Sequence, residues 1–265
     1  MTGIMRTTLY FAGRALAALM LVSLLNACIS TQEASKYQVD EAKALDSHVT
    51  LALKYIEGKN RESARHHLRK AMEIDPRSVE ANYALAMLYQ LEGEMDLADN
   101  QFEKTLRLDS SYSRARNNYG AMLFDEGHYE AAFKQFDLAA KDLDYDARPQ
   151  ALVNLGRTAL KLGNTKKAES AFEHAARLAP AMAVVKYELA ELNFAKGEYK
   201  VAKQYLDAYE QIARPAPQTL LLGIKMERVF GNSDREASYA LLLKNKYPYS
   251  KEYLEYKSML EQSEK

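Results

Sequence analysis

The sequence predicts an all-α protein made of about six stacked helical hairpins. Small residues recur at intervals of 33 to 36 positions, and a large apolar residue precedes each one. The recurring small residues are Ala52, Ala86, Gly120, Gly156, Ala190 and Gly223. Glycine and proline are sparse, 11 and 6 of 265 residues, which favours helix over sheet. A sequence that repeats itself at this interval is typical of a helical-repeat architecture.

A second column of small residues predicts how each hairpin closes. The alanines that follow twelve residues later are Ala64, Ala98, Ala132, Ala168 and Ala202, with Ala237 slightly displaced. Four residues further on stand large side chains, Leu68, Phe102, Phe136, Phe172, Leu206 and Leu241. Glycine turns lie between the columns, at Gly58, Gly93, Gly127, Gly163 and Gly197. Facing small residues let two antiparallel helices approach closely, and neighbouring hairpins must stack to bury their apolar faces.

The repeat occupies residues 45–249, and we place the six units from these columns. The predicted intervals are 45–78, 79–112, 113–148, 149–182, 183–215 and 216–249. The third unit contains a two-residue insertion, and the sixth is degenerate, with a longer turn. Residues 250–265 are predicted to form a capping helix and tail, because the end of a helical array needs a cover.

The N-terminus is typical of an exported protein. Residues 1–27 contain early arginines, an apolar run at 15–25 and a small residue before Cys28, the pattern of a secretory signal peptide. The sequence Leu25-Asn26-Ala27-Cys28 resembles the lipobox of bacterial lipoproteins. That resemblance implies that Cys28, the chain's one cysteine, is the site of lipid attachment and anchors the protein in a membrane through acyl chains. Residues 28–43 are predicted to be a polar tether.

Composition and motifs argue against several other functions. Formal net charge is zero, from 36 basic and 36 acidic side chains, so no global charge favours nucleic acid. The five histidines have no zinc-protease spacing, and no phosphate-binding loop or nucleophile motif is present. We therefore expect no enzyme activity, no catalytic residues, no metal and no cofactor. The chain is expected to be monomeric.

A partner-binding groove is predicted along the first helices of the early repeats. Positions 2, 5, 9 and 12 of each first helix lie opposite the packing columns, on the side that lines the concave face of a helical array. The predicted groove residues are Val49, Leu53, Ile56, Tyr83, Met87, Leu91 and Asn117. Apolar groove side chains would form a slot for an amphipathic helix or an apolar strand of a partner. Alternatively, they belong to the core, or residues 36–44 cover them.

Two resemblances extend this prediction. The combination of a leading leucine and alanine, a glycine turn, and alanine and phenylalanine at fixed spacing resembles the tetratricopeptide repeat. It implies a right-handed α-solenoid of about six tetratricopeptide helical hairpins with a C-terminal capping helix. The stretches 115–136 and 220–248 are similar to the third and sixth repeats of PilF/PilW pilotin lipoproteins of type IV pilus biogenesis.

The PilF/PilW resemblance implies a function and a location. Members are outer-membrane lipoproteins that face the periplasm, bind the pilus secretin subunit, and promote its outer-membrane localisation and multimer assembly. The groove of the first repeats is the favoured contact region in that family. The alternative is a periplasmic tetratricopeptide adaptor lipoprotein for another envelope complex, such as one for outer-membrane protein insertion or for cell-wall enzymes.

Overall fold

The computed structural model describes residues 40–263, and regular structure in this range is entirely helical. The helices of the first two hairpins are α1 (40–57), α2 (Arg61–Ile74), α3 (Val79–Glu92) and α4 (Met95–Leu108). The next four are α5 (Ser113–Asp125), α6 (Tyr129–Lys141), α7 (Arg148–Lys161) and α8 (Thr165–Leu178). The last five are α9 (Ala183–Ala195), α10 (Tyr199–Ile212), α11 (Pro217–Phe230), α12 (Ser233–Lys246) and α13 (Lys251–Ser263). The predicted class, an all-α protein of helical hairpins, is confirmed for these residues.

The chain divides into two compact units after Ser110. The first unit contains α1–α4, in which α2 and α4 both pack on α3. Its core includes Ala52 of α1, Leu68 of α2 and Leu88 of α3, all of which are at most 2% exposed. Helices α2 and α4 each bury one side, as expected for amphipathic helices, whereas α3 lies between them and buries residues on most of its circumference.

The second unit contains α5–α13, which form four hairpins and a final single helix. Each of α5, α7, α9 and α11 packs on the second helix of its own hairpin, and α7, α9 and α11 also pack on the second helix of the preceding hairpin. First helices also contact one another, α5 with α7 and α9 with α11, so one face of the unit is built from consecutive first helices.

Each helix pair crosses where a small residue faces a large one sixteen positions later. In the fourth hairpin, Gly156 of α7 lies against the ring of Phe172 in α8, which is fully buried. A Cβ added to Gly156 would lie 2.7 Å from Cδ1 of that ring, well inside van der Waals contact. Gly120 with Phe136 repeats the arrangement. The small column therefore sets how closely the two helices of a hairpin approach.

The sixth hairpin corrects part of the sequence prediction. Tyr239, and not Leu241, takes the place of the large core residue: it lies against Gly223, whereas Leu241 is 60% exposed. Ala237, assigned to the small column, is exposed as well, and Arg235 stands twelve residues after Gly223. The hairpin keeps the sixteen-residue spacing of the others, so it is the residue types that diverge and not the register.

Left-handed backbone ends the first helix of most hairpins. Gly93 has φ +84° and Gly231 φ +69°, a conformation that a side chain disfavours. In the first hairpin this conformation belongs to Lys59 (φ +57°) and not to Gly58, which the sequence marked as the turn. Lys59 is thus a non-glycine residue in a position that glycine occupies elsewhere in the chain.

The N-terminal boundary of the helical region differs from the sequence prediction. Residues 40–43, expected to end the tether, are already part of α1. At the other end, Tyr253 and Tyr256 of α13 pack against the core of the sixth hairpin. Helix α13 thus covers the apolar side of the sixth hairpin.

Candidate partner-binding surfaces

Three predicted groove residues of the first unit are core residues. Val49 and Ile56 of α1 are 6% and 9% exposed and belong to the packed clusters around α2 and α3. Tyr83 of α3 is 5% exposed, with its ring centroid 6.4 Å from that of Phe102 in α4. The prediction of an apolar slot is therefore wrong for these three. Their burial matches the core alternative, because helices packed on both flanks leave little of positions 5 and 12 to solvent.

The other three apolar residues remain accessible. Three side chains are only partly buried against the same core: Leu53 of α1, and Met87 and Leu91 of α3. Arg61 of α2 donates from Nη2 to the carbonyl oxygen of Leu91 at 3.1 Å and so closes the end of α3. We call Leu53, Met87 and Leu91 the apolar surface of the first unit. Partner contact at this surface stays a prediction.

Asn117, the predicted groove residue of the second unit, belongs to a chain of side-chain amides. Gln150 of α7 donates from Nε2 to Oδ1 of Asn154 at 3.1 Å. Asn154 in turn donates from Nδ2 to Oδ1 of Asn117 in α5, also at 3.1 Å. Asn117 is 9% exposed, whereas Gln150 and Asn154 are half-buried. The amide chain links two consecutive first helices across the face they share.

A pocket of about 150 Å³ lies beside this amide chain. Its lining residues are Ala121, Phe124, Asp125, Phe136, Asn154 and Arg157. Phe136 is 1% exposed and packs on Gly120, so it is a rigid part of the lining. Phe124 is also fixed, since its ring stands edge-on to Tyr129 with centroids 5.2 Å apart. We call this the α5–α7 pocket.

Arg157 is held in place from the neighbouring helix α9. Its Nε and Nη2 both lie 2.6 Å from Oε1 of Glu188, whose side chain is 9% exposed. Burial raises the pKa of Glu188 above its ordinary value, and Arg157 opposes that rise. Because the pair uses Nε and Nη2, Nη1 is not part of it. The result is an oriented guanidinium at the α5–α7 pocket.

Sequence reasoning named Asn117 but did not name Phe124 or Asn154. Phe124 occupies position 12 of the third repeat, and Asn154 is one position after position 5 of the fourth. Applying the position rule to the third repeat would have found Phe124, and adding the next position in the fourth would have found Asn154. Their contacts across helices cannot be read from the sequence, because spacing specifies a face and not a distance.

Three histidines of the first unit, His48, His66 and His67, lie close together. Nδ1 of His48 lies 3.0 Å from Nδ1 of His67, and the ring of Tyr55 stacks on His67. Partial burial, with His48 and His66 nearby, lowers the pKa of His67. Among residues 40–263, no group of three or more histidine, cysteine or carboxylate side chains is arranged to hold a metal ion.

The anchoring prediction falls on residues for which no structure is described. The signal peptide, Cys28 and most of the tether precede residue 40. Within the described part of the chain, no helix has both the length and the apolar character needed to cross a membrane. Lipid attachment at Cys28 therefore stays a prediction.

Comparison with known proteins agrees with the class that this fold defines. Residues 83–151 and 153–217 match the family model of the tetratricopeptide repeat. Paired helices with small residues at each crossing are the physical form of that repeat. The protein is a tetratricopeptide repeat protein.

Two similar proteins, PilF and PilW, identify the family more closely. The type IV pilus assembly protein PilF of Pseudomonas aeruginosa is 36% identical over 247 residues, which cover 92% of this chain and 98% of that protein. A solved structure of Pseudomonas aeruginosa PilF superposes on this chain with a TM-score of 0.77 at 38% identity, covering 83% of this chain and 99% of that one. PilW, described as a widely conserved type IV pilus biogenesis factor, gives a TM-score of 0.70 at 25% identity, covering 79% and 96%. The chain belongs to the PilF/PilW family.

Proposed function

We propose that this protein is a pilotin of type IV pilus biogenesis: a non-enzymatic lipoprotein, anchored at Cys28, that binds the secretin subunit. In this role it would sit in the outer membrane facing the periplasm and promote the secretin's localisation and multimer assembly. The observation that carries the proposal is the similarity to PilF of Pseudomonas aeruginosa across nearly the whole of both chains. Because one fold serves many functions, the role rests on that similarity and not on the hairpins alone.

The apolar surface of the first unit is the proposed secretin contact. Leu53, Met87 and Leu91 are accessible apolar side chains on two consecutive first helices. Methionine suits such a surface, because its unbranched side chain adapts to a partner. An amphipathic helix or apolar strand of the secretin would bury these side chains, as helical partners do in hydrophobic grooves.

A deletion strain tests the role of the protein. Secretin should remain monomeric in the inner membrane, and gel electrophoresis of separated membranes should show few multimers. Restoring the gene should return multimers to the outer membrane. Normal multimers in the deletion strain would refute the proposed role.

Two substitutions test the proposed contact. Changing Leu53→Asp together with Met87→Asp should weaken binding of the purified periplasmic part of the secretin by at least about tenfold, since two charges must then be desolvated in an apolar contact. Leu97→Asp, at a side chain of α4 that is 48% exposed, is the matched control and should leave binding unchanged. Circular dichroism would establish that both proteins keep their helicity. Equal affinities of the double variant and the control would exclude this surface.

A third substitution tests the anchor separately. Cys28→Ala removes the thiol that acylation requires, so the protein should leave the membrane fraction and lose the mass of its acyl chains. Mass spectrometry of the mature chain gives the answer directly. A wild-type mature protein without acyl groups would refute lipid anchoring and leave the secretin contact standing.

A further inference from the structure

A polar side-chain pair joins the two helices of each of the first three hairpins at the same position. In the first hairpin, Nδ1 of His48 in α1 lies 3.0 Å from Nδ1 of His67 in α2, nineteen residues later. The next two hairpins have hydrogen-bonded pairs with the same separation, Asn82 with Gln101 and Arg116 with Gln135. Of these three pairs, only the two histidines change charge between about pH 5 and about pH 8.

We propose that His48 and His67 form a pH-sensitive contact, which holds α1 against α2 near neutral pH and loosens α1 when both rings are protonated. Helix α1 carries Leu53, so its loosening would break up the apolar surface of the first unit. The inference rests on the proposed function only in assigning that surface to the secretin.

The number of protons on the pair decides whether the contact holds. A hydrogen bond between the two Nδ1 atoms requires a hydrogen on one of them and a free lone pair on the other. A first added proton binds Nε2 of the donor ring and leaves this bond in place. A second proton must bind the accepting Nδ1, after which two N–H groups on cationic rings point at each other. The contact therefore fails at the second protonation.

The neighbouring positions on α1 and α2 contain no carboxylate that would offset a second positive charge. The residues one helical turn away are Ala44, Leu45, Leu51 and Ala52 around His48, and Ser63, Ala64, Lys70 and Ala71 around His67. Lys70 is bound to Glu73. The ring of Tyr55 stacks on His67, and the ring of His66 stands edge-on to it, with centroids 5.5 and 5.3 Å away.

The other acidic groups near this part of the hairpin lie beside different residues. Glu92 of α3 is bound to Arg65 of α2, and Glu80 of α3 lies 3.4 Å from the hydroxyl oxygen of Ser78. Glu62 of α2 is exposed and lies one turn before His66, not before His67. The two facing rings therefore have each other as their nearest titratable groups across the α1–α2 contact.

The pKa of His67 has the direction that this contact requires. Burial lowers it from its ordinary value, and the nearby His48 and His66 lower it further. The folded hairpin therefore binds this proton less tightly than the unfolded chain does. The resulting stability is present above about pH 6.5 and is lost as pH falls through the lowered pKa.

Helix α1 is the element that loss of the contact would free. It is the first helix of the described chain, and it joins the core through Val49, Ala52 and Ile56. Helix α3, by contrast, packs on both α2 and α4. Terminal elements of a helical array open at a lower free energy than internal ones, so α1 should open before α3 does.

Hydrogen exchange of the purified full-length protein tests the contact. Protection is taken as the exchange rate of each amide relative to that of an unfolded chain at the same pH. Protection of the α1 amides should fall about fivefold between about pH 7.5 and about pH 5, while that of the α3 amides should change less than about twofold. Constant protection of α1 in the wild type, or an equal loss in α3, would overturn the proposal.

A double variant is the matched control. His48→Asn together with His67→Gln recreates the pair of the second hairpin, whose charge does not change with pH. Protection of α1 in this variant should stay within about twofold over the same range, since no second cation forms. His66→Gln, at an exposed side chain, keeps the pair and should retain the loss in acid. Circular dichroism would establish that both variants are folded. An equal loss of protection in the wild type and the double variant would refute a role for the pair.

The inference and the proposed function fail separately. If protection of α1 does not depend on pH but the secretin binds through Leu53 and Met87, this inference is wrong and the proposed function stands. If protection of α1 falls in acid only when both histidines are present, and the secretin does not bind at any pH, the contact stands and the proposed function is wrong.

Discussion

Replacing Gly156 by alanine tests the packing rule on which every hairpin depends. In an exposed helix this change stabilises, because alanine has a helix propensity about 1 kcal/mol better than glycine. In α7 the added methyl would lie 2.7 Å from Cδ1 and 2.8 Å from Cζ of Phe172. That ring is fully buried and cannot swing into solvent.

The steric loss outweighs the gain in propensity. Overpacking a close-packed core costs typically about 1–3 kcal/mol, so after the gain in propensity the net effect of Gly156→Ala should be a destabilisation of up to about 2 kcal/mol. Gly120→Ala should cost less, since its methyl would lie 2.9 Å from the nearest atom of Phe136. Urea unfolding followed by circular dichroism would measure the free energy of unfolding of both variants. A Gly156→Ala protein as stable as the wild type, or more stable, would refute the argument.

A second substitution separates steric overlap from other causes. Phe172→Leu combined with Gly156→Ala recreates the pair found in the fifth hairpin, where Ala190 faces Leu206 and both are buried. If the methyl clashes with the ring, the double variant should be more stable than the sum of the single effects by at least about 1 kcal/mol. Simple additivity would show that the two side chains do not compete for space.

Three further predictions follow from single residues. Lys59→Gly should raise the free energy of unfolding by about 0.5 kcal/mol in urea, because relief of left-handed strain slightly exceeds the added entropy of the unfolded chain. Tyr239→Phe should lower the same quantity by about 1 kcal/mol, since the phenol donates a 2.6 Å hydrogen bond to the carboxylate of Glu210. Glu188→Gln should become more stable relative to the wild type as pH rises from about 4 to about 7. The raised pKa of Glu188 means that its folded state binds the proton more tightly, so its contribution is present below the ordinary carboxyl range and lost as pH rises through the raised pKa.

For each of these three substitutions, a control or a specific outcome would contradict the prediction. Lys59→Ala keeps a Cβ and should give no gain; an equal gain would point to the charge and not the backbone. For Tyr239→Phe, unchanged stability would mean that water replaces the phenol at Glu210 without loss. For Glu188→Gln, the contrary result is a free energy of unfolding that rises with pH more in the wild type than in the variant. That result would show that the Arg157 ion pair outweighs the burial of the carboxylate.

The repeating columns of small and large residues predicted the hairpins because the cause is local and periodic. A helix has a fixed rise and turn, so sequence spacing translates directly into which residues share a face. The same reasoning was wrong in the sixth hairpin, where it selected Leu241 in place of Tyr239. It favoured an aliphatic residue at an approximate position over a tyrosine at the sixteen-residue spacing, whose hydroxyl finds a carboxylate only in the folded chain.

The groove prediction likewise depends partly on sequence spacing and partly on packing in the folded chain. Spacing placed Val49, Leu53 and Ile56 on one side of α1, but only packing decides that Leu53 stays accessible while the other two are buried. The amide of Asn117 was identified from its position. Its link to Asn154, thirty-seven residues away, depends on the approach of α7 to α5.

The sequence by itself determined the helical class and the interval of the repeat, since these follow from periodic spacing within the chain, and its similarity to PilF shows the family. Only the tertiary structure decided which side chains remain exposed, which left-handed residue ends the first hairpin's leading helix, and where a guanidinium is held beside a pocket. These properties depend on contacts between helices, and the distance of such contacts is set by all the side chains that fill the space between them.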